Sequence, residues 1–308
     1  MGRATQISLS PDVQAFEDWL AQQLAVSFAA EDGSALTPLQ SMGSGWQALV
    51  RIAALEVLQT LPQSEQKPAF ILFEEPETYL HPHLCRKLRN ILGTLSKSGW
   101  PVVCSTHDPE FVNYSEPEQI ARLWRKKSGN DHGHLLTDSL PNGPKLQDKL
   151  DERGSHEFLF ANRVILCEGK DDRHSLLLFF KKLGVDIDGL GVSILDLGGV
   201  GSIPDYAEMA KVLKIPWCAL TDQDLLADGN IKHHTKKARD KLQAAATEKD
   251  LVPIWPGSLE GCLKSQDVSP AWQLDNLSLL SLENLEQKFP DYHSTASAIA
   301  SWVVSASN

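Results

Sequence analysis

Apolar strands that stop on acidic residues constrain this chain more than any other feature. Ala69-Phe70-Ile71-Leu72-Phe73 runs directly into Glu74-Glu75-Pro76-Glu77. Val164-Ile165-Leu166-Cys167 runs into Glu168-Gly169-Lys170-Asp171-Asp172, and Trp217-Cys218-Ala219-Leu220 into Thr221-Asp222-Gln223-Asp224. Pro101-Val102-Val103-Cys104-Ser105 ends in Thr106-His107-Asp108, and Val192-Ser193-Ile194-Leu195 is a further short run. Apolar runs without alternation suit strands buried on both faces. Helical patterns separate them: after Pro82, over 171–183, over 203–213 and, strongly basic, over roughly 231–248. Strands alternating with helices predict a parallel α/β architecture. In a parallel sheet the strand-end acids collect on one edge, where such proteins bind ligands.

The flanking regions are less regular. Ser10-Pro11 reads as a helix start, and Val13, Phe16, Leu20, Leu24 and Phe28 recur at helical spacing, so a helix is expected over 11–29. Gly43-Ser44-Gly45 opens a second helix running to about Leu61, and 62–68 is a polar linker. Residues 118–160 are polar, with a hairpin loop expected at 128–133 and a turn at 141–144. The domain boundary is placed near 155–162, giving domains 1–155 and 156–308, and 258–306 reads as short helices.

Composition narrows the class. With 308 residues, 42% hydrophobic and 22% charged, the chain has ordinary globular composition and room for about two domains. No apolar run approaches the ~20 residues of a membrane span, and the N-terminus lacks a signal-like apolar stretch, so a cytoplasmic protein is expected. Five cysteines without a C-x-x-C pair read as small buried residues in a reducing compartment. A net charge of −11 argues against broad coating of nucleic acid.

Two constellations carry chemistry. In the first, Glu74 could hold Mg²⁺ and Glu75 orient a water. His107, at the end of the next strand, could reach the same phosphate. The helix opened by Gly43-Ser44-Gly45-Trp46-Gln47 offers free N–H groups to an anion. In the second, Glu168, Asp172, Asp222 and Asp224 gather where two parallel strands end. Like charges at this density need cations, and hard Mg²⁺ or Mn²⁺ is the natural partner of oxygen donors. Two such ions ~4 Å apart can clamp an in-line displacement at phosphorus.

In order and spacing the first set resembles the C-terminal half of an ABC-type ATPase head of the RecF/SMC kind. The resemblance makes Ser44, Gly45 and Gln47 part of a signature motif that acts on ATP held by an opposite subunit. It makes Glu74 the Walker B acid, Glu75 the catalytic Glu, Pro76 to Pro82 the D-loop and His107 the switch His. The P-loop pattern G-x-x-x-x-G-K-[ST] occurs nowhere in these residues. The chain alone is therefore not expected to hydrolyse ATP. Three explanations stand: the chain is a fragment of a longer protein, which is the favoured one, a partner supplies the loop, or the head is degenerate.

The second set resembles a TOPRIM domain, a Rossmann-like parallel-sheet fold. That resemblance makes Glu168 the leading catalytic and metal-linked carboxylate and Asp222 and Asp224 the D-x-D metal ligands. Asp172, with Asp171 as its possible substitute, becomes a further acid, and Glu260 an acid at the second metal. Lys264 is a poor match for a downstream lysine near the scissile phosphate. No tyrosine lies near the cluster: Tyr206 falls on a helix, and Tyr114 and Tyr292 are remote in sequence.

Half an ABC head followed by TOPRIM is the order of the OLD (overcoming lysogenization defect) nucleases. The resemblance implies Mg²⁺- or Mn²⁺-dependent cleavage of DNA, dimerisation through the ATPase lobe and a role in phage defence or DNA processing. For some relatives it also implies a UvrD-like helicase partner. The competing expectations are a non-catalytic ATPase remnant that only binds, and a SMC/RecF-like repair ATPase. Two basic runs could hold a DNA backbone: Arg122, Arg125, Lys126 and Lys127, and the stretch from Lys232 to Lys241.

Overall fold

The computed structural model describes residues 6–10, 25–29, 36–38, 41–60, 70–112, 119–125, 132–136, 156–263, 274 and 277–305. It divides into two compact units, Met1–Phe111 and Val112–Asn308.

The first unit begins with an antiparallel sheet, β1 (Gln6–Ser10), β2 (Ala25–Ala29) and β3 (Leu36–Pro38), in that order. The helix expected over 11–29 is therefore wrong at its C-terminal end. Residues 25–29 pair with β1, Ser27 lying opposite Ser8. Val26 and Phe28 alternate with smaller residues at the period of a strand, and this short-range pattern wins over the sparser helical one. The remainder, 11–24, lies outside the described residues.

Next come helix α1 (Ser44–Thr60), strand β4 (Ile71–Glu74), helix α2 (Pro82–Lys97) and strand β5 (Val102–Ser105). Pro82 occupies the first turn of α2, where its missing N–H costs nothing. Cys85, Leu88, Ile91, Leu92 and Leu95 then form one buried stripe. β4 and β5 pair in parallel, with Ile71 opposite Val102 and Glu74 opposite Ser105. Ile71, Phe73 and Val102 pack with Ile52, Leu55 and the α2 stripe. On the other face of the strand pair Phe70, Leu72 and Val103 are exposed, Leu72 by 70%.

The second unit contains a hairpin, β6 (Ala121–Arg125) and β7 (His132–Leu136), followed by the parallel sheet that dominates it. The hairpin agrees with the expected turn, whose tip lies outside the described residues. The parallel strands are β8 (Arg163–Cys167), β9 (Val192–Asp196) and β10 (Trp217–Ala219), in the order β10-β8-β9. β10 leads into β11 (Thr221–Asp222), which pairs in parallel with β12 (Ile254–Trp255). The helices are α3 (Lys170–Leu183), α4 (Ile203–Val212), α5 (His233–Ala245), α6 (Leu259–Cys262), α7 (Leu282–Lys288) and α8 (Pro290–Val304).

Strand pleating splits the apolar runs between two cores. Val164, Leu166, Trp217 and Ala219 face Tyr206, Ala207, Met209 and Leu242 of α4 and α5. Ile165, Cys167, Cys218 and Leu220 face Phe179 and Phe180 of α3 and Tyr292, Ala296 and Ile299 of α8. The unit is thus a three-layer α/β/α stack, which explains why its strands read as continuous apolar runs.

The two-unit division falls at Phe111/Val112, upstream of the boundary expected at 155–162. Val112 and Ile120 join Phe158, Leu166 and Tyr206 in one core. Arg122 donates to the carbonyls of Leu159, Ala161 and Leu213, each at 3.1 Å, and its guanidinium lies over Trp124. Arg122 is therefore a structural clamp rather than a free cation for DNA. Lys126 and Lys127 lie outside the described residues. Cys85, Cys167, Cys218 and Cys262 are buried, Cys104 is half-buried, and all five are free thiols. No described helix is long and apolar enough to cross a membrane.

Candidate metal centre at the carboxyl edge

The second unit brings its acids together at the end of the parallel sheet. Glu168 follows β8 directly, and its Oε1 accepts the backbone N–H of Asp222 at 2.9 Å. That bond joins the ends of two neighbouring strands. The Glu168 carbonyl accepts the Gly199 N–H at 2.9 Å, and Gly199 makes this approach with φ 129°, a backbone few other residues adopt. Burial raises the Glu168 pKa, opposed by the N–H groups of Asp222 and Val200.

Asp172 sits in the first turn of α3 and is buried. Its Oδ2 accepts the Gly169 N–H at 2.9 Å, as a helix-capping acid does. Its Oδ1 accepts the indole N–H of Trp255 at 2.8 Å. Desolvation nevertheless pushes its pKa up to about 6. Asp222 is pushed up to about 7, by desolvation first and then by Asp172, Glu168, Glu260 and Asp224. Glu260 lies in α6, one turn that Ser258 caps by accepting the Gly261 N–H at 3.2 Å. Asp172, Glu168, Glu260 and Asp224, scattered over almost a hundred residues, all lie within electrostatic reach of Asp222.

Asp224 takes a different role. Its backbone is left-handed, φ 53°, which aspartate tolerates better than most residues. Its Oδ1 pairs with Lys232 Nζ at 2.7 Å and its Oδ2 accepts the Thr235 hydroxyl at 2.6 Å. His234 Nε2 is 3.9 Å away. Desolvation alone would raise its pKa, but the Lys232 and Thr235 hydrogen bonds outweigh it and hold the group low. Both Asp224 oxygens are thus engaged at the start of the basic helix.

Arg239 fastens the D-x-D segment from beneath. It is buried at 5% exposure, its Nε donates to Thr221 Oγ1 at 3.2 Å, and its guanidinium donates to the Asp222 carbonyl. This residue of the basic run is therefore part of the site's frame. Lys236, Lys237 and Lys241 line an open depression on the same helix with His233, Asp240 and Ala244.

The donor set is all oxygen, which suits a hard divalent cation. Among the described residues no three His, Cys, Asp or Glu side chains converge closely enough to form a ready ligand set. Both oxygens of Asp172 and both of Asp224 accept a hydrogen bond from a protein donor. The charge nevertheless fits: Asp222 is raised by four neighbouring carboxylates, a repulsion that a cation would relieve. Asp172 has both carboxylate oxygens engaged by Gly169 and Trp255, whereas Glu168 takes the Asp222 N–H on Oε1.

The first unit presents a smaller edge. Glu74 ends β4, and Glu75 follows it with φ 42°. His107 Nε2 lies 3.4 Å from Glu75 Oε1, so two sequence-predicted partners do meet. Both are open to solvent, His107 by 85% of its side chain. Glu77, not singled out in the sequence, ties the two strand ends together. Its Oε1 accepts the Thr106 hydroxyl at 2.5 Å and the His107 N–H at 3.2 Å. At the start of α1, Ser44 and Gly45 are exposed, and Gln47 donates through Nε2 to the Met42 carbonyl at 2.9 Å.

Sequence reasoning missed Trp255, Arg239, Thr235 and Glu77. The Val252-Pro253-Ile254-Trp255 run was the available signal for a further strand bordering the D-x-D. Tyr292, remote in sequence, stacks on Trp255 at 5.6 Å and stands directly behind the site. Its hydroxyl is committed to the Ser175 carbonyl at 2.8 Å, and the ring is buried, so it is not a nucleophile. Lys264 lies outside the described residues.

Comparison with known proteins agrees with this layout. Residues 159–224 match the model of the overcoming lysogenization defect protein-like TOPRIM domain. Residues 6–113 match an AAA domain model described as a putative AbiEii toxin of a type IV toxin–antitoxin system. An OLD nuclease of Thermus scotoductus is 29% identical over 223 residues, covering 69% of this chain and 41% of that protein. The Old nuclease of Escherichia phage P2 is 24% identical over 221 residues, covering 68% of this chain and 38% of that protein. The chain thus spans about two fifths of the length of these relatives. The C-terminal region of the Burkholderia pseudomallei OLD protein is 22% identical, covering 45% of this chain and 88% of that one, with a TM-score of 0.30 that adds no argument. Two matched regions in this order, with relatives of the same kind, make the chain similar to the OLD nucleases over both of its units.

Proposed function

We propose that this chain carries the nuclease centre of a divalent-metal-dependent DNA endonuclease of the OLD type. The observation that carries the proposal is the acidic edge itself. Glu168 and Asp222 lie at the ends of β8 and β11, and burial, with repulsion from Asp172 of α3, Glu168 and Glu260 of α6, raises Asp222 to about 7. The nuclease names of the relatives point the same way.

In this reading Glu168, Asp222 and Glu260 would hold Mg²⁺ or Mn²⁺, with Asp172 contributing from behind and Asp224 after leaving Lys232. A bound cation supplies charge neutralisation at phosphorus and eases deprotonation of water. The chain's own part is to fix the acids. The Asp222 N–H holds Glu168, and Arg239 holds the Asp222 carbonyl. The exposed lysines of α5, Lys236, Lys237 and Lys241, flank the D-x-D and suit a DNA backbone.

In this reading 1–155 contains a partial ATPase region, its segment from Val112 onward packing with the second unit, and 156–308 is the TOPRIM nuclease with C-terminal helices. The exposed Glu75–His107 pair fits a nucleotide-facing edge, and the P-loop missing from these residues means that ATP turnover requires further sequence or a partner. Dimerisation through this region, a UvrD-like helicase partner, a cytoplasmic location and a role in phage defence belong to the same reading. A plasmid-nicking assay tests its centre. Nicking should require Mg²⁺ or Mn²⁺, stop with chelator, and be lost in Glu168→Ala and Asp222→Ala. Undiminished cleavage by both variants would refute the site.

A further inference from the structure

We infer that Trp255 is a positioning residue for the cation site, acting through Asp172; the inference rests on the metal-dependent reading above and deepens it. Trp255 is fully buried, and its only polar atom donates to Asp172 Oδ1 at 2.8 Å. The other oxygen, Oδ2, is held by the Gly169 N–H at 2.9 Å. A carboxylate offers about four lone-pair sites. Two fixed donors therefore set the plane of the Asp172 group and leave further acceptor capacity on the same carboxylate. A buried donor that orients a ligand typically changes metal affinity 10- to 100-fold on removal.

The indole is itself held firmly. Tyr292 stacks on it at 5.6 Å with the rings 12° apart, and Phe179 meets Tyr292 edge-on. The Tyr292 hydroxyl donates to the Ser175 carbonyl at 2.8 Å, and the Ser175 hydroxyl donates to the Asp172 carbonyl at 2.9 Å. The chain of contacts closes on itself: α8 supports Trp255, Trp255 supports the Asp172 carboxylate, and Ser175 supports the Asp172 backbone. Two hydrogen bonds on one carboxylate would be excessive for a helix cap alone, because Gly169 already provides the capping bond. β12 also pairs with β11, so Asp222 and the tryptophan lie in register.

The test uses Trp255→Phe, which keeps an aromatic ring against Tyr292 and removes the N–H. Mn²⁺ binding by titration calorimetry on the full chain should weaken about ten-fold or more. In nicking assays the half-saturating metal concentration should rise by a similar factor, while the rate at saturating metal recovers much of the wild-type value. A purely structural role would lower both without rescue by metal. Adding Trp255→Phe to Asp172→Asn should weaken Mn²⁺ binding no further. Unchanged Mn²⁺ affinity in Trp255→Phe, with binding still abolished by Glu168→Ala, overturns the role of Trp255 alone. Absence of Mn²⁺ binding by the wild type overturns this inference together with the metal-dependent reading. A measurement on wild-type protein guards against a variant that does not fold. One indole N–H resonance should shift on adding Mg²⁺, and Asp172→Asn should abolish that response. No responding indole resonance would refute the inference.

Discussion

Two strand-end acid clusters occur in one chain, and they are built differently. In the second unit Asp172 is buried, Glu168 and Asp222 are half-buried, and the three are cross-tied by Trp255, Arg239 and backbone N–H groups at the end of a sheet packed between two helical layers. In the first unit Glu75 and His107 meet on an open edge of a two-stranded sheet whose outer face exposes Leu72 and Val103. The first arrangement is held by partners within its own unit. The second has a positioning element in Glu77, yet the side chains that would act remain solvated. Low local dielectric strengthens electrostatics only where water is excluded. Charge interactions are therefore stronger in the second unit's cluster than at the first unit's open edge.

The largest expected effect attacks that contrast directly. Glu168→Ala or Asp222→Ala should reduce metal-dependent nicking by two orders of magnitude or more, on the order expected for loss of a metal-holding carboxylate. Glu75→Gln and His107→Ala in the same chain should leave nicking unchanged. Equal losses from both groups would show that the two edges work as one site.

Stability should divide in the same way. Leu166, at the centre of the three-layer stack, is fully buried. Leu166→Ala should cost about 2–5 kcal/mol in denaturant titration. Leu72→Ala, on the exposed face of β4, should stay within about 0.5 kcal/mol. A large loss at Leu72 would mean that its face is covered in solution.

Arg239→Met is the next step down. It leaves the Thr221 hydroxyl and the Asp222 carbonyl without a donor, a cost of about 1–3 kcal/mol. Metal half-saturation should also rise, since the D-x-D backbone loses its anchor. Unaltered stability and metal dependence would remove Arg239 from the frame.

The smallest effect is one of pH. Asp172 and Asp222 are raised to about 6 and about 7 from the ordinary aspartate value of 3.8. The folded state therefore binds protons more tightly than the unfolded chain. That contribution is fully present below pH about 4 and is lost as pH rises through 6 to 7. In chelator, Tm should fall between pH 5 and 8. Excess Mg²⁺ should reduce the fall, and so should Asp222→Asn. A Tm in chelator that rises steadily over this range in wild type, with no difference in Asp222→Asn, would contradict the raised values.

How much was legible in advance follows from sequence distance. The strands and the acids that end them, Glu168 and Asp222, could be read, because an apolar run and the acid that ends it are neighbours in sequence. The partners of those acids could not. Trp255 lies 83 positions from Asp172 and reaches it only because β12 pairs with β11. Arg239 looked like one more cation of a basic helix, and burial against Thr221 makes it structural instead. Arg122 changed meaning for the same reason. The helix expected over 11–29 failed at 25–29, where β-pairing with 6–10 decided a local pattern that was ambiguous.

The sequence by itself determined the α/β class, the order of the two matched regions and the identity of the strand-end acids, because hydrophobic period and motif spacing are local properties. Only the tertiary structure decided which acids are bonded to what. It turned Asp224 toward Lys232 and Thr235, Asp172 toward Trp255, and left Asp222 among like charges. The physical reason is that burial and hydrogen bonding depend on the neighbours that folding brings from far along the chain, and these set what each carboxylate can do.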